Sequence, residues 1–361
     1  MTAIILYGSF ELAPYAKLYM KILDGAGEKY HLIGWKRETQ TTYSGENVYV
    51  YEGKTAKRFS SVLHKIGPSF GYRHFVKKLI RKNKYDKLII LTTQTAVILA
   101  DVLLGKYKNR YIFDYRDKSY EYIKPYGFLV NLFVKNSAET AVSSPWFKDN
   151  LTKNKEYILV HNFQNDFLKY TKNECAKKEK DQKIIIGYVG ALRAYGYHKR
   201  LIDIFADDKR FEFYTYGCGD DTERLKEYAG NYNNIYVCGA YNECDKSRII
   251  DTFDMMIYNY PYNYVNDGAV ANKYYDSLIM KKPMIVNTET VLGRYIAESG
   301  LGVGIDEEDE KSADKIYSWY MSFDAAEFSA KCNENTKKYE EDNQKFILKM
   351  KKALTGRNPR G

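Results

Sequence analysis

The residues whose types and spacing most clearly suggest a chemical role lie in the stretch Asn272–Val286, which reads NKYYDSLIMKKPMIV. It contains one carboxylate, Asp276, with Lys273 three residues earlier on a helical pattern. Residues three apart lie on the same face of a helix, so the two could form an exposed ion pair. A carboxylate at this place could instead accept hydrogen bonds from hydroxyl groups of a ligand. Both interpretations stay open on these residues alone.

A second stretch, Ile184–Phe205, has the composition of a phosphate-binding loop. An apolar run leads into three glycines, and a helical pattern follows: Gly187, Gly190 and Gly196. Glycine lets backbone N–H groups approach a phosphate, and the amino end of a helix favours negative charge. Arg193 and Lys199 add cations nearby, as does Arg200. The spacing is neither that of a P-loop nor that of a dinucleotide fingerprint, so ordinary turn glycines are the alternative.

Acidic and histidine side chains of the first half form a third set of candidates. In RYIFDYRDKSYE (Arg110–Glu121), Asp117 and Glu121 are the acids best placed to act as a general base or to contact an acceptor. Capping, or ion pairs with Arg116 or Lys118, would explain them equally well. His161 follows another apolar run and either faces a cleft between domains or is an ordinary histidine before a linker.

The pattern of elements that must position these residues is that of an α/β protein with mostly parallel sheets. A chain of 361 residues is expected to form two domains. We expect them at residues 1–165 and 183–345, with a polar linker at 166–182 and a helix end and tail at 346–361. The predicted strands are short apolar runs: Ile4–Tyr7, His31–Trp35, Asn47–Tyr51, Lys87–Leu91, Arg110–Asp114, Thr140–Ser143, Tyr157–Val160, Ile184–Val189, Phe211–Tyr216, Ile235–Val237, Met255–Tyr258 and Pro283–Val286.

The amino-acid composition narrows the range of possible functions further. Five scattered cysteines have no metal-like spacing and indicate a reduced, cytoplasmic protein, and the first apolar run is too short for a signal peptide. The net charge is +10, and residues 1–175 carry 28 Lys and Arg against 16 Asp and Glu. The basic helix predicted at Gly71–Lys84 either lies on an anionic membrane or packs on its own sheet with a solvated face.

Asn272–Val286 resembles the segment of GT-B-fold glycosyltransferases, especially glycosyltransferase family 4, that reads N-K-aromatic-aromatic-E-L followed by a basic residue, Pro and an apolar strand. IGYVGALRAYGYHKRLI is similar to the family's Gly-Arg-Leu…Lys phosphate loop, although Ala191 replaces the usual Arg. Arg110–Glu121, AVSSPWFKDNL and ILVHNF resemble glycosyltransferases of bacterial capsule, exopolysaccharide and O-antigen synthesis. The resemblance implies a GT-B fold: two Rossmann-like domains facing a central cleft, with a C-terminal helix.

The resemblance also implies roles for particular residues. Asp276 stands where the family's glutamate accepts hydrogen bonds from the donor ribose, next to Asn272 and Lys273. Gly268 stands where a second acid is usual, with Asp267 beside it for the sugar. The residues expected on the donor diphosphate are those of two loops: Gly8, Gly190, Arg193 and Lys199. Arg116 takes the place of a sugar-contacting histidine, and with Asp117 and Glu121 it forms the expected catalytic set.

The function that follows is a metal-independent, retaining hexosyltransferase without a resident cofactor. Its donor would be a UDP-linked sugar bound by the second domain. Its acceptor would be a saccharide or an undecaprenyl-diphosphate-linked saccharide bound by the first domain. A peripheral contact with the inner face of an anionic membrane is a further expectation. The alternatives are a sugar-nucleotide epimerase of the same fold, a non-catalytic nucleotide-sugar-binding subunit and a basic nucleic-acid-binding protein. No recognisable nucleic-acid module supports the last.

Overall fold

The computed structural model describes residues 1–36, 43–53, 62–153, 155–162, 165–258 and 262–356. The chain forms two compact units, one of residues 1–161 together with 341–361 and one of residues 162–340. Within the described ranges, no helix is both long enough and apolar enough to cross a bilayer.

The first unit is built on a seven-stranded parallel sheet. Its strands are β1 (Thr2–Leu6), β2 (Tyr30–Trp35), β3 (Val48–Tyr51), β4 (Lys87–Leu91), β5 (Tyr111–Tyr115), β6 (Glu139–Val142) and β7 (Ile158–Leu159), in the order β3-β2-β1-β4-β5-β6-β7. The helices between them are α1 (Ala16–Asp24), α2 (Val62–Asn83), α3 (Thr93–Ile98), α4 (Ala100–Leu104) and α5 (Lys124–Asn136). After their first residues, Thr2 and Lys87, the central strands β1 and β4 are apolar and buried because helices cover both faces of a parallel sheet.

The second unit repeats this plan with six parallel strands. They are β8 (Ile184–Val189), β9 (Phe211–Tyr216), β10 (Ile235–Gly239), β11 (Met255–Ile257), β12 (Met284–Asn287) and β13 (Gly302–Ile305), in the order β10-β9-β8-β11-β12-β13. The helices are α6 (Tyr195–Phe205), α7 (Thr222–Ala229), α8 (Lys246–Asp251), α9 (Asn272–Ile279), α10 (Val291–Glu298) and α11 (Ser312–Ser322). One face of this sheet contributes Ile186, Phe213 and Ile257 to the core, and the opposite face contributes Val189 and Met256 to a second cluster.

A long helix, α12 (Ala325–Thr355), begins in the second unit and ends in the first. Its last turns bring Phe346, Met350 and Leu354 into the core formed around β1 and α1. The boundary predicted at residue 345 therefore differs from the observed one, because the part of the helix from residue 341 onward packs with the first unit.

The segment predicted as a linker, 166–182, is not a free connection. Phe167 and Cys175 are buried, and Phe167 belongs to the same core cluster as Met256 and Ile279. Lys178 forms an ion pair of 2.7 Å with Asp254. The polar composition of the segment predicted a linker. In the structure, its polar side chains form contacts at the surface of the second unit, and its few apolar residues lie in the core of that unit.

Candidate functional site

The two sheets each have a point where the strand order reverses, between β1 and β4 and between β8 and β11. Open α/β sheets bind ligands outside the carboxyl ends of the strands at such a point. In the second unit, the residues that follow β8 and β11 are therefore the first place to look for a binding site. Both the glycine loop after β8 and the helix α9 begin at this edge.

The loop after β8 is packed against the loop after β9 through their backbones. Gly190 has a φ of +153°, and its N–H donates to the carbonyl of Tyr216 at 2.9 Å. A Cβ atom on Gly217 would lie 1.7 Å from the carbonyl oxygen of Gly190. Because no side chain fits between the two loops, a glycine is required at position 217, and the predicted phosphate loop is held by its neighbour.

The amino end of α6 is capped by an acid from that neighbouring loop. Asp221 accepts a hydrogen bond of 3.0 Å from the N–H of Tyr195, the first residue of α6. Asp221 directly precedes α7, but it forms no side-chain cap there. One backbone donor at the expected phosphate site is therefore already used by a carboxylate.

The two predicted diphosphate cations are in different surroundings. Arg193 is exposed in the loop between β8 and α6. Lys199 forms an ion pair of 2.8 Å with Asp203, and its ammonium group lies 4.5 Å from the ring centre of Tyr228 on α7. The structure thus leaves Arg193 in the loop, whereas Lys199 is directed to acidic and aromatic side chains of the helical surface.

Asp276 is buried and its partner is a lysine that the sequence analysis missed. The side chain is 7% exposed, and its Oδ2 lies 2.7 Å from Nζ of Lys246, the first residue of α8. Lys246 is equally buried and also lies 3.5 Å from Glu243. The ion pair of Asp276 is therefore buried and formed with Lys246, so the alternative of an exposed ion pair with Lys273 is wrong. Lys246 lies on a separate helix, and nothing in the sequence around it indicates that it pairs with Asp276.

The protonation of Asp276 is set by two opposing effects. Burial raises its pKa to about 6, and the ammonium group of Lys246 opposes that rise. Burial also penalises the charge on Lys246, but Asp276 more than compensates, so the pKa of Lys246 is raised. At neutral pH the pair is therefore ionised on both sides, and a carboxylate is available close to the carboxyl end of the sheet.

Lys273 lies at the switch point itself. It is buried, and its ammonium group is 4.1 Å from the ring centre of Tyr188 on β8 and 5.9 Å from that of Tyr258 after β11. The aromatic faces stabilise the buried cation. His198 packs edge-on against Tyr188, and burial lowers its pKa to about 4, with Lys273 adding to the effect. Its imidazole is therefore neutral at pH 7.

The backbone conformation of the segment before α9 favours glycine at position 268, where the glycosyltransferases that this segment resembles usually have an acid. Gly268 has a φ of +78°, a left-handed conformation that favours glycine over a residue with a carboxylate. Asp267 beside it accepts a hydrogen bond of 3.0 Å from the N–H of Val291, the first residue of α10. Asn272 is half-buried as the first residue of α9. Of the tyrosine-rich stretch that precedes them, residues 259–261 lie outside the described part of the chain.

Tyr258 and the two lysines after α9 have structural roles. The Tyr258 hydroxyl accepts from the N–H of Ala271 at 2.8 Å, which fixes the approach to α9. Lys281 donates to the carbonyl of Leu278, and Lys282 donates to the carbonyls of Asp251 and Phe253. The Lys-Lys-Pro signature thus closes the ends of two helices and leads into β12.

In the first unit, Arg116 is held by Asp114. The guanidinium makes two parallel contacts to the carboxylate, of 2.7 Å and 3.0 Å, and both side chains are buried. The ring centre of Tyr15 lies 4.5 Å from the guanidinium carbon. The Ser143 hydroxyl donates to the Arg116 carbonyl at 2.7 Å. Arg116 therefore fixes the end of β5, which does not favour a direct contact with a reacting sugar.

The other candidates of the first unit follow the ends of its strands. Asp117 is exposed directly after Arg116. Glu121 accepts from the N–H of Ser119 at 2.5 Å, and burial raises the pKa of its carboxyl. Gly8 follows β1, two places from β5 in the sheet, and its carbonyl accepts from the N–H of Trp35 at 2.9 Å. The strand order therefore brings Gly8, Asp117 and Glu121 to one edge.

His161 is buried against α12 within the same unit. Its N–H donates to Oδ1 of Asn343 at 2.7 Å, and its Nε2 lies 3.3 Å from Oδ2 of Asp342. These contacts fasten the helix to the end of β7. They support the structural interpretation of this histidine over a ligand contact.

No protein-family model and no curated sequence matches this chain. Its fold is similar to that of solved structures. They include sucrose-phosphate synthase from Thermosynechococcus elongatus, with a TM-score of 0.68 at 11% identity over 99% of both chains. WaaG, a glycosyltransferase involved in lipopolysaccharide biosynthesis, gives 0.63 at 11% identity over 99% of this chain and 100% of that one. Anabaena HepE in complex with UDP-glucose gives 0.61 at 12% identity over 98% of both.

At such identities the likeness shows the fold alone, and that fold is GT-B. Two Rossmann-like units built on parallel sheets are what the sequence analysis predicted, and the fold class is confirmed. The sixth strand of the second sheet, Gly302–Ile305, was not predicted. Within the described residues, no group of three or more His, Cys, Asp and Glu side chains is arranged to hold a metal ion.

The buried ion pair makes a testable prediction for stability. We expect Lys246→Met and Asp276→Asn each to lower the free energy of unfolding by about 3–5 kcal/mol, because each leaves one buried group without its partner. The double variant should recover much of that loss, which gives a large coupling energy in a double-mutant cycle measured by urea denaturation.

The exposed pair Lys226–Glu223 is the matched control, with side chains 42% and 85% exposed. Its cycle should give less than about 1 kcal/mol. Additive effects of Lys246→Met and Asp276→Asn would show that the two charges do not depend on each other.

Proposed function

We propose that this chain is a glycosyltransferase that moves a sugar from a nucleotide-diphosphate sugar, UDP-linked, to a saccharide or lipid-linked saccharide acceptor. The observation that carries the proposal is the buried Asp276 carboxylate, held ionised by Lys246 beside the switch point of the second sheet. A surface acid would need no such partner. The HepE structure with UDP-glucose shows that a protein of this fold binds such a donor.

Asp276 is proposed to accept hydrogen bonds from the ribose hydroxyl groups of the donor. An ionised carboxyl group has two oxygens that only accept and forms charge-assisted hydrogen bonds, and each ribose hydroxyl is a donor that matches it. Lys246 fixes one oxygen of the carboxylate at 2.7 Å, which leaves the other oxygen for a ligand. Asn272, one turn earlier on α9, is proposed to contribute to the same nucleoside.

The diphosphate is proposed to lie against the loop after β8. Gly190 allows close approach of the backbone, and Arg193 and Lys273 supply positive charge as the nucleoside diphosphate leaves. Fixed cations that face a developing negative charge stabilise it without reorganisation, so this mechanism requires no metal ion. Lys273 takes over the role that the sequence analysis gave to Lys199.

The first unit is proposed to bind the acceptor, with Asp117 or Glu121 in contact with the attacking hydroxyl. The raised pKa of Glu121 suits a group that exchanges a proton near neutral pH. Arg116 is proposed as a positioning residue, and Gly8 as a backbone contact to the donor phosphates. A retaining reaction, in cytoplasmic synthesis of a bacterial surface polysaccharide, completes the proposal.

Two other functions would use the same nucleotide site. A sugar-nucleotide epimerase would interconvert nucleotide sugars in the absence of any acceptor, and a non-catalytic subunit would bind the donor without turnover. The neutral, buried His198 argues against the epimerase, because it is the histidine nearest to the switch-point lysine and is not set up to exchange protons at pH 7.

The first functional prediction concerns the ribose contact. Asp276→Asn should weaken UDP-glucose binding by about 10- to 100-fold, the equivalent of one charge-assisted hydrogen bond, in isothermal titration calorimetry. Asp203→Asn is the matched control, because Asp203 pairs with Lys199 on the helical surface. Equal affinities for wild type and Asp276→Asn, both folded by circular dichroism, would contradict the assignment.

The second prediction is a pH dependence with a defined sign. Because the pKa of Asp276 is about 6 and its ionised form is the stronger acceptor, UDP-glucose affinity should be constant above pH 7 and fall about tenfold by pH 5. UDP-glucose is preferred to UDP because its phosphates are diesters and do not titrate in this range. The slope should disappear in Asp276→Asn; a wild type with flat affinity would contradict the role of the carboxylate.

The third prediction separates the two lysines. Lys273→Met should weaken UDP-glucose binding at least tenfold, whereas Lys199→Met should leave it unchanged, because Lys199 is paired with Asp203. The measurement is the same titration at low and moderate salt. A loss confined to Lys199→Met would restore the original assignment from the sequence.

A further inference from the structure

The first unit displays an aromatic segment, here called the aromatic loop, at residues 120–128 (YEYIKPYGF); it comprises the turn before α5 and the first residues of that helix. Four of the twelve large hydrophobic side chains found exposed in the described residues lie in this stretch: Tyr120 (45%), Tyr122 (60%), Ile123 (46%) and Phe128 (67%). Residues 122–125 are exposed without interruption. An exposed apolar patch of this kind marks an interaction surface.

Hydrogen bonds within the aromatic loop fix the conformation of its backbone. The N–H of Ile123 donates to the Tyr120 carbonyl at 2.9 Å, and the N–H of Gly127 donates to the Ile123 carbonyl at 3.0 Å. The hydroxyl groups of Ser119 and Tyr126 are 2.8 Å apart. With its backbone fixed in this way, the loop presents Tyr122, Ile123 and Phe128 as a preformed surface.

The charge of the first unit indicates what that surface meets. Its residues, 1–161 and 341–361, include 32 Lys and Arg against 16 Asp and Glu, a net charge of +16. Residues 162–340 include 24 against 30, a net charge of −6. The whole excess of positive charge is therefore in the unit that carries the aromatic loop, and Lys124 lies within the loop itself.

The basic helix α2, the membrane contact considered from the sequence, is less suitable. Its apolar side chains Tyr72, Val76, Leu79 and Ile80 are buried in the first unit. Arg73 and Lys77 both form ion pairs with Asp101 on α4. Among the helix residues whose side chains the structure describes, Phe70 is the one large apolar side chain that is exposed, and its exposed neighbours toward the end of the helix are His74, Lys78, Arg81 and Lys82. That part of the helix therefore offers no continuous apolar face to insert.

We propose that the aromatic loop inserts into the interface of an anionic bilayer and that the charge of the first unit draws the protein to it. Tyrosine suits this position because its ring is apolar and its hydroxyl remains hydrated. Ile123 and Phe128 enter the acyl boundary, while Lys124 stays at the level of the headgroups. This inference is independent of the nucleotide-sugar site, because it requires neither Asp276 nor catalysis.

The experiment is co-sedimentation of the full chain with vesicles of phosphatidylglycerol and phosphatidylcholine, compared with phosphatidylcholine alone. We expect binding to the anionic vesicles that decreases as salt is raised. The variant Tyr122→Ser/Ile123→Ser/Phe128→Ser should lower the partition coefficient at least tenfold. The control is Tyr236→Ser, an exposed tyrosine of the second unit, which should bind as wild type.

Absence of wild-type binding to anionic vesicles would overturn the proposal, as would undiminished binding of the loop variant. UDP-glucose affinity of the loop variant, measured in parallel, should equal that of wild type and shows that the protein is folded. A loop variant that keeps vesicle binding but loses transfer to a water-soluble acceptor would assign the loop to the acceptor instead. Failure of UDP-glucose to bind any form would count against the proposed function only.

Discussion

The candidate site depends on the electrostatic cost of burying a carboxylate. Asp276 on α9 is almost fully enclosed, and burial raises the pKa of its carboxyl, which disfavours the charged form. Lys246, supplied by α8, keeps the charge in place and fixes its direction. Replacing such a pair with apolar side chains is often neutral or stabilising, so stability alone gives no reason to keep it. A ligand that needs an ionised acceptor is the better explanation.

The rest of the second unit can be understood from this constraint. Helix α9 begins at the carboxyl edge of the sheet. Hydrogen bonds of Tyr258 fix its beginning, and those of Lys281 and Lys282 fix its end. Lys273 is buried by the same placement and finds the face of Tyr188. Each polar group that the helix carries inward thus has a defined partner, which keeps the edge polar without exposing it to bulk water.

The regular parts of the fold were predictable because their signals are local. Ile184–Val189 is a strand on its own composition, and Lys87–Leu91 likewise. Gly302–Ile305 was missed because two glycines among four residues leave little apolar signal. The site was predictable only in part. Asp276 lies in a recognisable segment, but Lys246 is a lysine like many others until the fold places it. The sequence also did not single out the pairing of Lys199 with its i,i+4 neighbour Asp203, which the structure shows.

The course of α12 bears on how the protein is made. Residues 162–340 form a unit from one continuous piece of chain, and all of it can leave the ribosome before residue 346 does. The core around β1 has no Phe346, Met350 or Leu354 until that later moment. Domains generally fold in the order of synthesis, but here the first unit is completed after the second. During translation its apolar surface stays uncovered, and that interval is the one in which a chaperone would be needed.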